Sequence, residues 1–370
     1  MRLMRISRIA VGVACLTALA TIATAQQPAG APAAADTTIN DAVKTMVSRL
    51  ELERYKATIK GLTQFGDRRQ GTDRNRAAVD WIEAQLKSYG CTNTERITYE
   101  YTSPQRPVGG RGGPRPPSDN AQGGGRLRGY RHRTGVNTDS LAQKDPKIRA
   151  LDAQPATDGS GTALVMELAR VFSSPDVKTD RSIRFVLWNN EETGLNGARA
   201  YVAQRQALQG KEQPAGSGKY PEPKWLGMIQ HDMMLFDHGM PRADGTLSPE
   251  QRPEADVNIE FQSASKMADS AQKLAWFFQT ANERYATDYP ARVGQHMTNT
   301  DSAPFQDIIA AISLRENERG EQIGAGWDPQ WHQVTDMYST YSDKDFRLGL
   351  NAAQTTLAAI ALLTGASVTK

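Results

Sequence analysis

From Gly159 to Leu363 the chain alternates between short runs of β-forming residues and longer stretches with helical spacing. "SGTALVMELARVF" reads as a mostly buried helix and "IRFVLW" as a strand, followed by a helix through "NGARAYVAQRQAL". "WLGMIQ" is a second strand, and residues 257–261 a third, with a helix over 265–284 behind it. A strand at 308–314 and a long closing helix at 343–363 complete the series. Such alternation predicts an α/β fold with a mixed, largely parallel central sheet and helices on both faces. Sites in these sheets gather at the carboxyl ends of strands. Two predicted strand ends carry acids: Glu191 and Glu192 after "IRFVLW", and Asp232 after "WLGMIQH".

The N-terminal part divides differently. Arg2, Arg5 and Arg8 precede an apolar stretch over 9–22, too short to span a bilayer, and Ala23-Thr24-Ala25 is a small-x-small cleavage site. Residues 1–25 therefore read as a secretory signal peptide, which implies an exported, periplasmic or extracellular protein. The Ala/Pro-rich residues 26–38 read as a disordered leader. A helix is predicted over 39–55 and another after Thr72, whose hydroxyl can cap it; Ala78, Ile82 and Leu86 share one stripe and Gly90 ends it. "ERITYEYT" alternates as a strand. Residues 104–133 are rich in Gly, Pro and Arg, with seven Arg against one Asp, and read as a solvated loop interrupting a domain that spans 39–363. No later segment is expected to cross a membrane.

Removal of residues 1–25 takes three Arg and no acid, leaving 41 basic against 41 acidic residues. A near-neutral chain excludes nucleic acid as the main partner, since phosphate binding needs excess cationic charge. Cys15 leaves with the leader, so Cys91 is single in an exported protein, where cysteines normally pair.

Two adjacent carboxylates at a strand end repel each other, and in isolation the pair is a solvated acidic turn. A divalent cation reverses that balance. Zinc also lowers the pKa of its water from about 15.7 to about 7, within reach of a carboxylate base. Asp232 ends the next strand, and His332 lies in "GWDPQWHQVTD" with Asp336 four residues on, placed to orient the imidazole. Glu, Asp and His form a zinc-type ligand set.

Motif order brings a resemblance into view. "GSGTALVMELARVF", "RSIRFVLWNNEETGLNGARAYV", the Asp after "WLGMIQH", "TDSAPFQDIIAAISL" and "WHQVTD" are similar to the family-28 zinc metallopeptidases, the co-catalytic aminopeptidases and carboxypeptidases. "GDRRQGTDRNRAAVDWIEAQL" is similar to that family's opening helix. The resemblance covers roughly 39–103 and 159–363. It implies peptide or protein substrates and two zincs. It also implies Glu191 as general base, Glu192 and His332 on one zinc, and Asp232 on the other.

The chain departs from the family at two ligands. The His-x-Asp motif before the Gly-Ser-Gly turn has no counterpart: "NTDS" places Asn137 at the His position, and His132 lies in loop-like surroundings. Thr157 stands where the family has its bridging Asp, with Asp158 one residue late. The expectation is that the segment carrying the first metal strand has been lost, leaving its neighbours without ladder partners; a missing partner for Cys91 fits the same loss. Three readings remain: a secreted zinc exopeptidase impaired by lost ligands; a single-zinc enzyme resembling glutaminyl cyclases through Asp158, Glu192 and His332; and a non-catalytic binding domain. Zinc content of two, one or none, together with turnover, separates them. The lost ligands weigh against catalysis, and oligomeric state is not encoded in any motif.

Overall fold

The computed structural model describes residues 41–66, 68–100, 157–192, 194–235, 257–295, 300–316 and 336–369. Seven α-helices and six strands are assigned among them: α1 (Asp41–Val47), α2 (Leu52–Thr63), α3 (Asp73–Ser88), α4 (Thr157–Phe172), β1 (Val177–Lys178), α5 (Asn196–Arg205), β2 (Met228–His231), β3 (Val257–Glu260), α6 (Ala268–Tyr285), β4 (Ala291–Gly294), β5 (Ala311–Glu316), α7 (Asp343–Thr364) and β6 (Ser367–Val368). The main sheet runs β2-β5-β3-β4, and β1 pairs with β6 in a separate two-stranded ribbon. β2 is parallel to β5 and β3 to β4, while β3 and β5 are antiparallel. The sheet is therefore mixed and the fold α/β, as the alternation predicts.

α7 is the central helix. A capping box starts it: the Ser342 side chain meets the N3 backbone while Asp345 accepts from the Ser342 N–H at 2.6 Å. Gly365, at φ 64°, ends it. Phe346, Leu348, Leu357 and Ala358 are fully enclosed or nearly so. Contrary to the sequence expectation, α7 is long and apolar enough to cross a membrane. Its apolar residues instead face α1, α2, α4 and α6, as in a core helix.

Several elements differ from expectation. The single helix predicted over 39–55 is two. Arg49 turns out to pair with Asp176 (3.0 Å), its carbonyl accepts from Arg170 (2.7 Å), and Leu50 enters the core. These contacts outweigh local propensity. β4, at "ARVG", carries no alternation and was not predicted. The segment 183–188, expected as a strand, joins no ladder among the described residues, nor does 95–100.

Side chains hold 183–188 instead. Phe185 packs on Phe172 of α4 at 6.2 Å, and Trp188 meets Tyr201 at 5.3 Å and Phe305 at 5.8 Å. Arg184 donates to Glu222 at 2.7 Å, a carboxylate wholly enclosed and also bonded by the Trp225 indole N–H. Cys91 is a free, half-buried thiol, with Sγ 3.2 Å from Ser173 Oγ.

Close approach of α4 to β2 depends on Gly161. A Cβ there would lie 2.8 Å from the His231 carbonyl carbon, which is backbone and cannot swing aside. Gly161→Ala is expected to cost about 1–3 kcal/mol through overpacking, read as a lower urea midpoint with an unchanged slope.

Candidate metal centre

β2 delivers Asp232 to the carboxyl edge of the sheet. The ladder runs past the strand's end: the Asp232 N–H donates to Leu314 O at 3.1 Å and the Glu316 N–H to Met233 O at 2.8 Å. Met233 then adopts φ 50°, a left-handed conformation costly for a residue with a Cβ. The backbone beyond is caught by side chains. The Met234 N–H donates to Ser160 Oγ at 3.0 Å and the Leu235 N–H to Glu316 Oε2 at 3.0 Å.

Glu191 and Glu192 sit on a tight turn between 183–188 and α5. The N–H groups of Gly194 and Leu195 both donate to Glu191 O, at 2.9 and 2.8 Å, and that of Asn196 to Asn190 O at 3.0 Å. Asn190 (φ 64°) and Leu195 (φ 59°) are left-handed on either side of the acid pair. Strain of this kind persists only where surroundings over-determine the backbone. Here they do so from two directions. Gly197 of α5 comes so close to Asn189 that a Cβ would stand 3.0 Å from its nitrogen. Asn75 and Asn189 clasp amide to amide, at 3.0 and 3.2 Å, and the Tyr99 hydroxyl donates to Asn189 O at 3.1 Å. Asn75 belongs to α3, where its own N–H is capped by Thr72. This clasp was missed from sequence; its only local signal is an Asn three residues after a capping Thr.

Glu191 is half-buried and Glu192 exposed. Asp232 is half-buried as well. Burial pushes its carboxyl up, the Arg315 charge opposes that, Glu192 adds to the rise, and hydrogen bonds from Thr300 and Gln230 oppose it. Thr300 Oγ1 donates to Asp232 Oδ2 at 3.3 Å. Asp301, next in sequence, is a site residue that received no role from sequence. It is 4% exposed, and its Oδ1 has no hydrogen-bond partner among the described residues. Burial first, then the charges of Asp232 and Glu192, push its carboxyl up to about 8. The structure thus brings Glu192, Asp232 and Asp301 within electrostatic reach of one another, around a buried oxygen that lacks a donor. A cation nearby would offset that concentration of negative charge.

The shell is not closed by these residues: among the described residues no three His, Cys, Asp or Glu approach closely enough to hold a metal ion. His332 lies outside the described residues, as do Asn137 and His132. Asp158 falls in the first turn of α4, not on a turn before it, and its side chain is outside what is described. Asp336, expected to orient His332, is buried and accepts from the Tyr341 hydroxyl at 2.9 Å.

Asp301 makes the metal-free protein pH-sensitive. Its folded carboxyl holds a proton up to about pH 8, while the unfolded one releases it near the ordinary value of about 3.9. The folded state binds more protons between those values, so this stability is complete below the lower one and is lost as pH rises through the upper. Asp301→Asn removes the effect. Its melting temperature in chelator is expected to exceed that of the parent by more at pH 9 than at pH 6.

Residues 138–356 match peptidase family M28. Among solved structures, the LapA aminopeptidase of Legionella pneumophila superposes with a TM-score of 0.56 at 16% identity, over 91% of this chain and 78% of LapA. LapB from the same organism gives 0.52 at 15% identity, over 89% and 77%. Glutaminyl cyclase of Porphyromonas gingivalis gives 0.48 at 16% identity, over 85% and 99%. The two Legionella structures share the fold, and the match over 138–356, more than half of the chain, makes this protein a member of peptidase family M28.

Proposed function

We propose that this chain is an exported zinc-dependent exopeptidase of the aminopeptidase type, working with a smaller ligand set than its family. The observation that carries the reading is the convergence of Glu192, Asp232 and the partnerless Asp301 oxygen beside Glu191. Family membership implies peptide substrates and zinc. Glu192 and His332 would hold the ion, with Asp232 and Asp158 as further candidate ligands. Zinc bound there would polarise the scissile carbonyl and acidify the attacking water.

The protein's own contribution is positional. Glu191 accepts a proton from the attacking water and returns it to the leaving amine nitrogen. The Asn75–Asn189 clasp and the strained turn fix where that carboxylate stands. Asp301, with a raised pKa, carries no charge at neutral pH until a cation or base takes its proton. Export is supported by Arg2, Arg5 and Arg8, the apolar stretch over 9–22 and the Ala-x-Ala site.

The test is hydrolysis of an aminoacyl p-nitroanilide by the zinc-loaded protein and by Glu191→Gln. The variant is expected to lose at least about 100-fold in kcat, with zinc content unchanged. Equal hydrolysis by both proteins would remove Glu191 from the role of base. No hydrolysis by the parent, with zinc bound, would leave a binding domain.

A further inference from the structure

Residues 94–99 run between α3 and α5 and join no ladder among the described residues. Side chains fix their course. Thr94 Oγ1 and Arg96 Nε donate to Glu83 of α3 at 3.0 and 2.7 Å, and Arg96 also pairs with Asp80 at 2.8 Å. On the other flank Gln204 of α5 donates to Thr98 O at 2.9 Å, and Arg205 pairs with Glu95. Glu95, Arg96 and Thr98 are exposed, while Ile97 is half-buried and packs into the cluster of Tyr201 and Phe305. Ion pairs this open to water add little stability. What they fix is the direction in which the segment delivers Tyr99.

The Tyr99 hydroxyl donates to Asn189 O at 3.1 Å, and the Gly197 N–H donates to the same oxygen at 3.1 Å. A carbonyl has two lone pairs, and one of these bonds already satisfies it. The second therefore adds restraint rather than saving a buried acceptor. The side-chain amide of Asn189 is held separately by Asn75, whose Nδ2 also donates to Arg68 O at 2.9 Å. Asn189 is thus gripped at once from α3, from α5 and from residues 94–99. The peptide unit is planar, so fixing Asn189 O fixes the plane that carries the Asn190 nitrogen. Rotation about that nitrogen is the φ of Asn190, which stands at 64°, and Glu191 follows directly.

We propose that Tyr99 is a positioning residue for the general base: its hydroxyl, with the Gly197 N–H, locks the 189–190 peptide plane and so sets where the Glu191 carboxylate stands. This rests on the exopeptidase reading above, with Glu191 as base, and it makes a segment outside the sheet and the helices part of the machinery. Tyr99 acts through the backbone of Asn189 and Asn190, not on substrate. A base must stand within hydrogen-bond reach of the proton it takes. A misplacement of about 1 Å from a change remote from the chemistry costs on the order of 100-fold in rate. Loss of one of two bonds to the same oxygen displaces the turn by less, so an effect of about tenfold is expected.

The experiment compares the zinc-loaded parent, Tyr99→Phe and Tyr289→Phe in hydrolysis of an aminoacyl p-nitroanilide. Tyr99→Phe removes one oxygen and leaves Asn189 O with its Gly197 bond, so it orphans no acceptor and is expected to fold. Tyr289 is the control, since its hydroxyl makes a bond of the same kind, to Lys344 O of α7 at 3.0 Å. For each protein kcat, KM, zinc per chain, the urea midpoint and amide hydrogen exchange over 189–197 are measured. Tyr99→Phe is expected to lower kcat about tenfold with KM within about twofold, the pattern of an interaction that serves the transition state. Its zinc content should be unchanged and exchange over 189–197 faster. Tyr289→Phe should lower the urea midpoint alone. A folded Tyr99→Phe with the parent's kcat would overturn the proposal. So would a rise in KM at constant kcat, which would put the ring against substrate, or an equal loss of kcat in Tyr289→Phe, which would make the effect one of general stability. Hydrolysis by the parent with an unchanged variant removes this assignment alone; no hydrolysis by the parent removes the exopeptidase reading, and the assignment with it.

Discussion

Negative charge concentrated at the carboxyl edge of a buried sheet is the constraint around which this protein is arranged. Asp301 is enclosed, Asp232 is half-buried, Glu192 is within their electrostatic reach, and Glu260 on β3 has no exposure at all. An isolated buried carboxylate is too costly to keep ionised. The chain answers in three ways. Asp301 keeps its proton, Asp232 takes the hydroxyl of Thr300 and the charge of Arg315, and Glu260 takes Arg315 and Asn258. A metal ion adds a fourth answer, and the proposed function depends on its arrival.

Positioning those groups draws on distant parts of the chain. The turn bearing Glu191 and Glu192 is held by an amide clasp from α3 and by the close approach of α5 at Gly197. The segment beyond Asp232 is held by Ser160 of α4 and Glu316 of β5. Backbone strain at Asn190, Leu195 and Met233 coincides with these restraints, as expected where tertiary contacts rather than local propensity set the conformation.

The segment 183–188 is held by its side chains. Its backbone has no ladder among the described residues, yet it stays in place because Phe185, Trp188 and Arg184 are anchored to α4, the Tyr201–Phe305 cluster and Glu222. Hydrophobic and charged side chains hold it against its neighbours. The anchored segment leads directly into the turn that carries Glu191 and Glu192.

By itself the sequence determined the α/β class, the ends of α3 and α7, and the placing of acids at strand ends. Each of these is a local property: a capping Thr72 or Ser342, a helical stripe, a β-forming run followed by charge. Motif order also carried the family. The tertiary structure alone decided which polar groups meet. Asp301, Arg315 and Asn75 received no role from the sequence. Their meaning comes from burial and from partners far away in sequence: Asn75 against Asn189, Arg315 beside Glu260, and Asp301 within electrostatic reach of Asp232 and Glu192. Electrostatic cost is a function of distance and enclosure, and neither is written in the order of residues.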